Sequence, residues 1–386
     1  MTIFHDLWLT RRPLAGFLLI GIAWAAFFAQ MPEIKARIGA SDAAYGTILL
    51  VASGGALLAL WLAPLAEQRL GRLGAPVAGL CVGLGMLITG FSTDVYVFGL
   101  AMGLASMGAG VVDVLINVRV SEVETRTGRS LMSLNHALYS FAYAGAALGV
   151  GLLRELNWSP SMVFLLVMGL FIGPLAIGMT PRRSVEVPEP VTTSAAPVLG
   201  AAVWLSGLIV MLAFLTESVS EGWSALHLER TLGGGPAEGA LGPAIIGLAM
   251  GMGRLVGHLL GRRWREMHVM GAGCLLAVFG LILVAGAGDL RMAYVGFALT
   301  GFGVSVVAPL SLAVLGRSVP SHARLHAISR ASVMGYGAFF IGPPLMGLTA
   351  EVFGLRAGFS AVAALMLFAA CVVLPALSCA FVQVDA

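Results

Sequence analysis

Asp113 and Asn117 stand four residues apart in GAGVVDVLINVRV, Gly108 to Val120, a run otherwise apolar up to Arg119. Four residues is close to one helical turn, so the acid and the amide share a face. An ionised aspartate at mid-membrane depth costs about 2.5–3.5 kcal/mol, a cost relieved when the carboxyl is neutral. Such an acid is suited to taking up and releasing a proton, with a hydrogen-bonding amide beside it. The alternative is a helix-packing acid paired with an arginine such as Arg119. Glu217 and Glu221 repeat the spacing in TESVSEGWSAL, with Ser220 and Ser224 nearby. They are further proton-coupling candidates; Glu217 is the deeper of the two, and one of the pair could be a solvated end residue. Trp223 beside them reads equally well as an interface anchor.

A third group is in SLNHALYSFAYAG, where His136, Tyr139 and Tyr143 fall on one helical face. Histidine titrates near neutrality, and tyrosines offer hydroxyls and flat rings to a sugar-like ligand. His136 reads equally as a helix-start residue at the interface, and Tyr139 as simple packing. Trp24, Phe27, Phe28 and Met31 make an aromatic stripe with Gln30 beside it. Trp24, Phe28 and Gln30 are candidates for lining a solute site; the competing reading is a face toward lipid or neighbouring helices. Arg330, in HAISRASVMGYG, could neutralise an anion or an inner acid, or serve as a basic anchor at the membrane surface.

These residues need helices that lipid tolerates. Of the 386 residues, 59% are hydrophobic and 11% charged, against about 25% charged in soluble domains. Twelve apolar runs, each near the roughly 20 residues a bilayer requires, lie at about 14–31, 44–66, 73–92, 95–118, 131–153, 160–180, 201–225, 238–260, 268–287, 291–316, 326–349 and 358–382. The sequence therefore predicts an all-α membrane protein of twelve spans in two six-helix bundles. PRRSVEVPEPVTTSAAP, Pro181 to Pro197, has the composition of a solvated linker, giving bundles at 1–181 and 200–386 joined by 182–199. With the N-terminus inside, sixteen of the 22 basic residues fall in inner segments; Lys35, Arg37, Arg154, Arg230, Arg291 and Arg356 fall outside. This bias places both termini in the cytoplasm.

The halves also repeat. Residues 103–149 align without a gap to 296–342 at an offset of 193, matching Gly103 to Gly296, Gly108 to Gly301, Gly110 to Gly303 and Tyr143 to Tyr336. Parallel six-helix repeats around a linker are a transporter arrangement.

At that point the chain resembles the major facilitator superfamily. LAPLAEQRLGRLG, after the second span, is similar to that superfamily's gating loop of small residue, acid and Gly-Arg, with Glu67 for the usual aspartate and one extra residue before Gly71. The resemblance implies gating roles for Glu67, Arg69, Gly71 and Arg72. It implies one too for Arg254, in the second-half echo GRLVGHLLGRR. More narrowly, GVVDVLINVRV and ESVSEGWSALHLE resemble the fucose permease branch and its bacterial inner-membrane relatives. That likeness implies proton coupling at Asp113 and solute contact at Asn117. The branch's first-helix aspartate is absent, with Phe28 at that point, so sugar specificity does not carry over.

Cys81, Cys274, Cys371 and Cys379 lie inside apolar runs without metal-ligand spacing and read as small buried hydrophobes. No metal site is expected. No GxxxxGK[ST] loop is present, so ATP drive is not indicated. The segments between spans are too short for an enzyme domain, and no nucleic-acid partner is expected. IGPPLMG resembles the glycine-proline motif of drug antiporters, but it stands on the eleventh span instead of the fifth. The expectation is a monomeric secondary transporter of the bacterial inner membrane. It would move a small polar, sugar-like solute by alternating access, with no cofactor and a proton gradient as the energy source. Two rivals are an exporter of hydrophobic compounds or metabolites, and a non-transporting membrane sensor or assembly partner.

Overall fold

The computed structural model describes residues 3–129, 131–177, 200–260, 264–320 and 323–382, and its regular structure among them is entirely helical. Ten helical stretches are long and apolar enough to cross a membrane. One of them, Asp42–Phe91, holds two spans, and a shorter apolar helix over Pro160–Gly173 completes twelve. The first half comprises α1 (Ile3–Arg37), α2 (Asp42–Leu70), α3 (Gly74–Phe91), α4 (Val95–Thr127), α5 (Met132–Glu155) and α6 (Pro160–Ile177). The second comprises α7 (Ala201–Leu226), α8 (Pro236–Leu260), α9 (Glu266–Gly286) and three broken spans. Those are α10 (Leu290–Val304) with α11 (Val307–Ser318), α12 (Arg324–Tyr336) with α13 (Ala338–Phe353), and α14 (Leu355–Phe368) with α15 (Leu374–Val382). The linker expected at 182–199 lies outside the described residues, as do Arg262 and Arg263 of the second gating echo.

Many helices outrun the apolar runs that announce them, because helical backbone continues into the charged flanks. α4 shows how its ends are set. Asp94 accepts from the amides of Tyr96 and Val97 at 2.9 and 3.0 Å. At the other end Gly128, at φ 67°, turns the chain and donates to Glu124 O at 2.8 Å. Between α2 and α3 the chain reverses at Gly71, whose φ of 51° suits a residue without a Cβ.

Within the lipid, helices gain by close packing rather than by the hydrophobic effect, so small residues sit at the crossings. A Cβ added to Gly85 would meet Ala101 O at 2.6 Å and Ala105 N at 2.7 Å; one on Gly280 would meet Gly296 O at 2.5 Å and Thr300 N at 2.6 Å. Gly108 against Ala78 and Val82 is matched in the same way by Gly303 against Gly273 and Ala277. Each of these pairs of equivalents is 195 positions apart. The two halves do repeat, but two residues out of the register expected from matching glycine to glycine. What repeats is the contact between crossing backbones, and the residue across from a glycine can be alanine or threonine.

The halves meet along α1, α2 and α5 from the first and α7, α8 and α13 from the second. They are fastened at the face opposite the chain termini. Arg154 at the end of α5 holds Glu229 with both Nη atoms, at 2.6 and 3.1 Å, and donates to Ala29 O at 2.7 Å. Arg230 holds Asp42 with two bonds of 2.9 and 2.6 Å, and Lys35 reaches the same carboxylate at 2.9 Å. Glu351 of α13 accepts from the first amides of α2, Asp42 and Ala43, at 2.8 and 3.2 Å. At the face carrying the termini, the described ion pairs stay within one half: Arg119 with Glu67 and Glu122, Arg129 with Asp6, and Arg317 with Glu266.

Candidate functional site

Asp113 is exposed although it lies in the middle of α4, whose neighbouring Val111, Val112, Leu115 and Ile116 are buried. Helical spacing turns its carboxylate away from that packed face. Asn117, one turn on, donates its amide to Asp113 O at 2.8 Å and to Asp113 Oδ1 at 3.0 Å. Its carbonyl Oδ1 is 3.3 Å from His136 Nε2 on α5. Phe17 of α1 fixes that imidazole edge-on, with ring centroids 4.9 Å apart. The alternative partner for Asp113, Arg119, is engaged elsewhere by Glu67 and Glu122.

The chain of polar groups continues across the interface. Ser140 Oγ donates to His136 O at 3.2 Å, and Arg254 of α8 donates to Ser140 Oγ at 3.3 Å. Arg254 Nη2 is 3.6 Å from Glu217 Oε1 on α7. Glu221 lies a turn further, and both glutamates are partly buried. Tyr139 stands within electrostatic range of Glu221, Glu217, Arg254 and Asp113 together, so acids from both halves act on one residue. Tyr336, at the end of α12, is within range of Asp113 as well. Asp113 and Asn117 have no counterpart in the second half; at the 195-residue offset Ala308 and Leu312 take their places.

The remaining candidates fall in different settings. Tyr143 is buried and its ring lies 6.2 Å from that of Tyr139. Trp24 and Phe28 stack at 5.7 Å, and Phe28 packs against Gly222, next to Glu221. Gln30 is fully buried and donates to Ala26 O on its own helix at 3.0 Å. Arg330 is exposed on α12. Glu67 is paired with Arg119, Gly71 makes the turn after α2, and Arg69 and Arg72 are exposed. Arg254, expected at a gate, bridges Ser140 and Glu217 inside the interface. Trp223 is not a membrane-surface anchor: it is 2% exposed and meets Tyr45 edge-on at 5.6 Å.

The chain is 31% identical over 362 residues to an uncharacterised transporter of Sinorhizobium fredii, covering 90% of this chain and 93% of the relative. It is 30% identical over 361 residues to an uncharacterised MFS-type transporter of Yersinia pestis, covering 91% of each. The chain belongs to the major facilitator superfamily. The superfamily's own sequence model matches residues 207–379. In the fold, this superfamily member is similar to a bacterial homologue of the human lysosomal transporter Spinster, solved in an inward-facing, occupied conformation. The TM-score is 0.77 at 14% identity, over 98% of this chain and 97% of that one. It is thus a multi-pass membrane protein of a family of transporters, not of enzymes.

Sequence reasoning did not single out Ser140, Tyr336 or the far-face set of Asp42, Glu229 and Glu351. Arg154 and Arg230 entered it only as outer charges. Opposite charges in neighbouring outer loops were the available signal, although charge alone does not reveal which loops meet.

Proposed function

We propose that this superfamily member is a proton-coupled secondary transporter that moves a small polar, sugar-like solute across the bacterial inner membrane. It acts as a monomer, with both termini in the cytoplasm and the proton gradient as its energy source. The observation that carries this reading is the run of polar contacts from Asp113 through Asn117, His136, Ser140 and Arg254 to Glu217, which passes through the His136 backbone carbonyl and ends in an ion pair. It begins on an exposed carboxylate within an apolar helix and crosses between two halves that must move relative to one another. Likeness of the fourth and seventh spans to the fucose permease branch supports a solute of sugar size.

In this mechanism solute enters between the halves while they are joined at one face only. An ionised Asp113 opposes closure around it, since closure would strip its water. Protonation removes that charge and lets the halves close over the solute. Opening to the other face rehydrates the carboxyl and releases the proton. Asn117 and His136 orient the carboxyl and offer hydrogen bonds to the solute. The gating roles of Glu67, Arg69, Gly71, Arg72 and Arg254 belong to this cycle. The first four govern how the face carrying the termini locks, where Glu67 and Arg119 are joined within one half, and Arg254 acts from inside the interface through Ser140 and Glu217.

The test is proton movement in vesicles on addition of sugars, sugar acids and amino acids. A solute-evoked signal that Asp113→Asn abolishes, with solute binding retained, is expected. Uphill accumulation with unchanged pH dependence in Asp113→Asn refutes the coupling role. Efflux of hydrophobic compounds, with silence across the polar panel, replaces the sugar-like reading with an exporter. Binding without flux replaces it with a sensor.

A further inference from the structure

The polar chain from Asp113 ends on Glu217, which leaves Glu221, the other acid of α7, without a task. Arg254 is the only cation within range of the two among the described residues, and it lies nearer Glu217. The Glu221 carboxylate makes no hydrogen bond or ion pair among the described residues, although it is partly buried. Within electrostatic range of it is Tyr143, 1% exposed, whose hydroxyl has no hydrogen-bond partner among the described residues. A buried hydroxyl without a partner is costly, so such a group within range of an unpaired carboxylate points to a place where something else binds.

The chemistry of the missing partner follows from what surrounds the space. A carboxylate only accepts hydrogen bonds, and a phenol oxygen can accept one. Two glutamates and Asp113 against one arginine leave the space negative when all are ionised. The rings of Tyr139 and Tyr143, 6.2 Å apart, and the Trp24–Phe28 stack near Gly222 supply π faces. A group with several donors, a positive charge and an affinity for aromatic faces meets all three conditions, and that group is an ammonium. A neutral hydroxyl satisfies the hydrogen bonds but leaves the charge, while a carboxylate solute is repelled.

We infer that Glu221 and Tyr143 form a subsite for the protonated amine of the transported solute, so that this transporter selects small polar amines over neutral and acidic sugars. The inference rests on the transport reading above and adds the solute's charge to it. Asp113, with Asn117 and His136, remains the proton site.

The test uses the purified full chain in lipid nanodiscs and calorimetric titration with matched solutes: glucosamine, glucose and glucuronate as one set, ethanolamine and ethylene glycol as another. The amine of at least one set is expected to bind about ten-fold or more tighter than its neutral partner, as a charge-assisted contact predicts. Glu221→Gln should bring amine and neutral partner to parity, Glu221→Asp should retain the preference, and Tyr143→Phe should weaken the amine alone. Thermal melting of each variant confirms folding. Neutral or acidic members binding as well as amines, no amine binding at millimolar concentration, or a preference that survives Glu221→Gln overturns the inference. Proton movement separates this from the transport reading. A neutral sugar that binds and moves protons through Asp113 keeps transport and sinks the amine subsite. An amine that binds through Glu221 but is never moved does the reverse.

Discussion

Replacing Glu229 by glutamine should release the face of the molecule that is shut. In the structure Arg154 and Glu229 are joined by two bonds of 2.6 and 3.1 Å, with side chains only 5% and 17% exposed. Glutamine keeps the length and one acceptor but removes the charge. A charge-assisted bond contributes about 1.5–3 kcal/mol and a neutral one about 0.5–1.5 kcal/mol. Arg154 would keep Ala29 O at 2.7 Å and Glu33 at 3.9 Å, so it is not wholly stranded. The cost then falls below the 3–5 kcal/mol of an orphaned buried charge, at about 2 kcal/mol. It applies only while the face is shut, since opening hydrates the guanidinium. Two kcal/mol shifts the balance between shut and open by about thirty-fold. The assay is pulsed dipolar spectroscopy between cysteine-attached labels at Ala36 and Arg291, exposed positions at this face on opposite halves, with the native cysteines replaced. Glu229→Gln should add a longer distance. Arg154→Gln should do the same, and the double variant should shift less than the two single shifts summed, because both remove one interaction. Distance distributions that match the unmodified chain in both single variants would refute the reasoning.

Three further perturbations follow from the packing. A side chain on Gly347 would drive into α2, where a Cβ already lies 3.0 Å from Gly46 Cα, so Gly347→Leu should open the same label pair; unchanged distances count against that crossing as a closure point. Arg119→Gln removes the guanidinium that Glu67 and Glu122 share and should cost about 2–4 kcal/mol of stability, seen as a lower melting temperature in detergent. Arg119→Lys should recover little of it, because one ammonium cannot reproduce the guanidinium fork; full recovery would refute this. Gly108→Leu and Gly303→Leu should destabilise their halves by similar amounts, roughly 3 kcal/mol or more, since each puts a side chain into facing backbone. A large difference between them would mean that the two crossings are not equivalent.

The twelve spans were legible because hydropathy and length are properties of consecutive residues, and lipid leaves helices few alternatives. The breaks within the tenth and eleventh spans, at Ser305–Val306 and Gly337, were not, since both lie inside continuous apolar runs. The repeat was legible and its register was not: identity pairs Gly108 with Gly301, while packing pairs it with Gly303. In the site, the Asp113–Asn117 contact follows from helical spacing, and the shared face of His136, Tyr139 and Tyr143 follows likewise. Arg254 reaching Ser140 and Glu217 depends on how three helices cross, which no local pattern encodes. Gln30 shows the opposite difficulty. A polar residue in a span looks like a ligand group; its amide nitrogen turns back on Ala26 O four residues earlier, while its buried Oε1 has no hydrogen-bond partner among the described residues, so sequence pattern alone does not assign its role.

Glu229 and Arg230 are consecutive, of opposite sign, and carried by the π-helical turn His227–Thr231. Each meets a complement on the other half, Arg154 and Asp42. The arrangement works as a polarised two-pin key. If the halves returned one residue out of step, Glu229 would face Asp42 in one direction or Arg230 would face Arg154 in the other, and the misfit would be rejected rather than merely weakened. In the cycle proposed above the halves part and rejoin, and nothing outside the protein guides the rejoining. Here the correct alignment is written into two adjacent side chains.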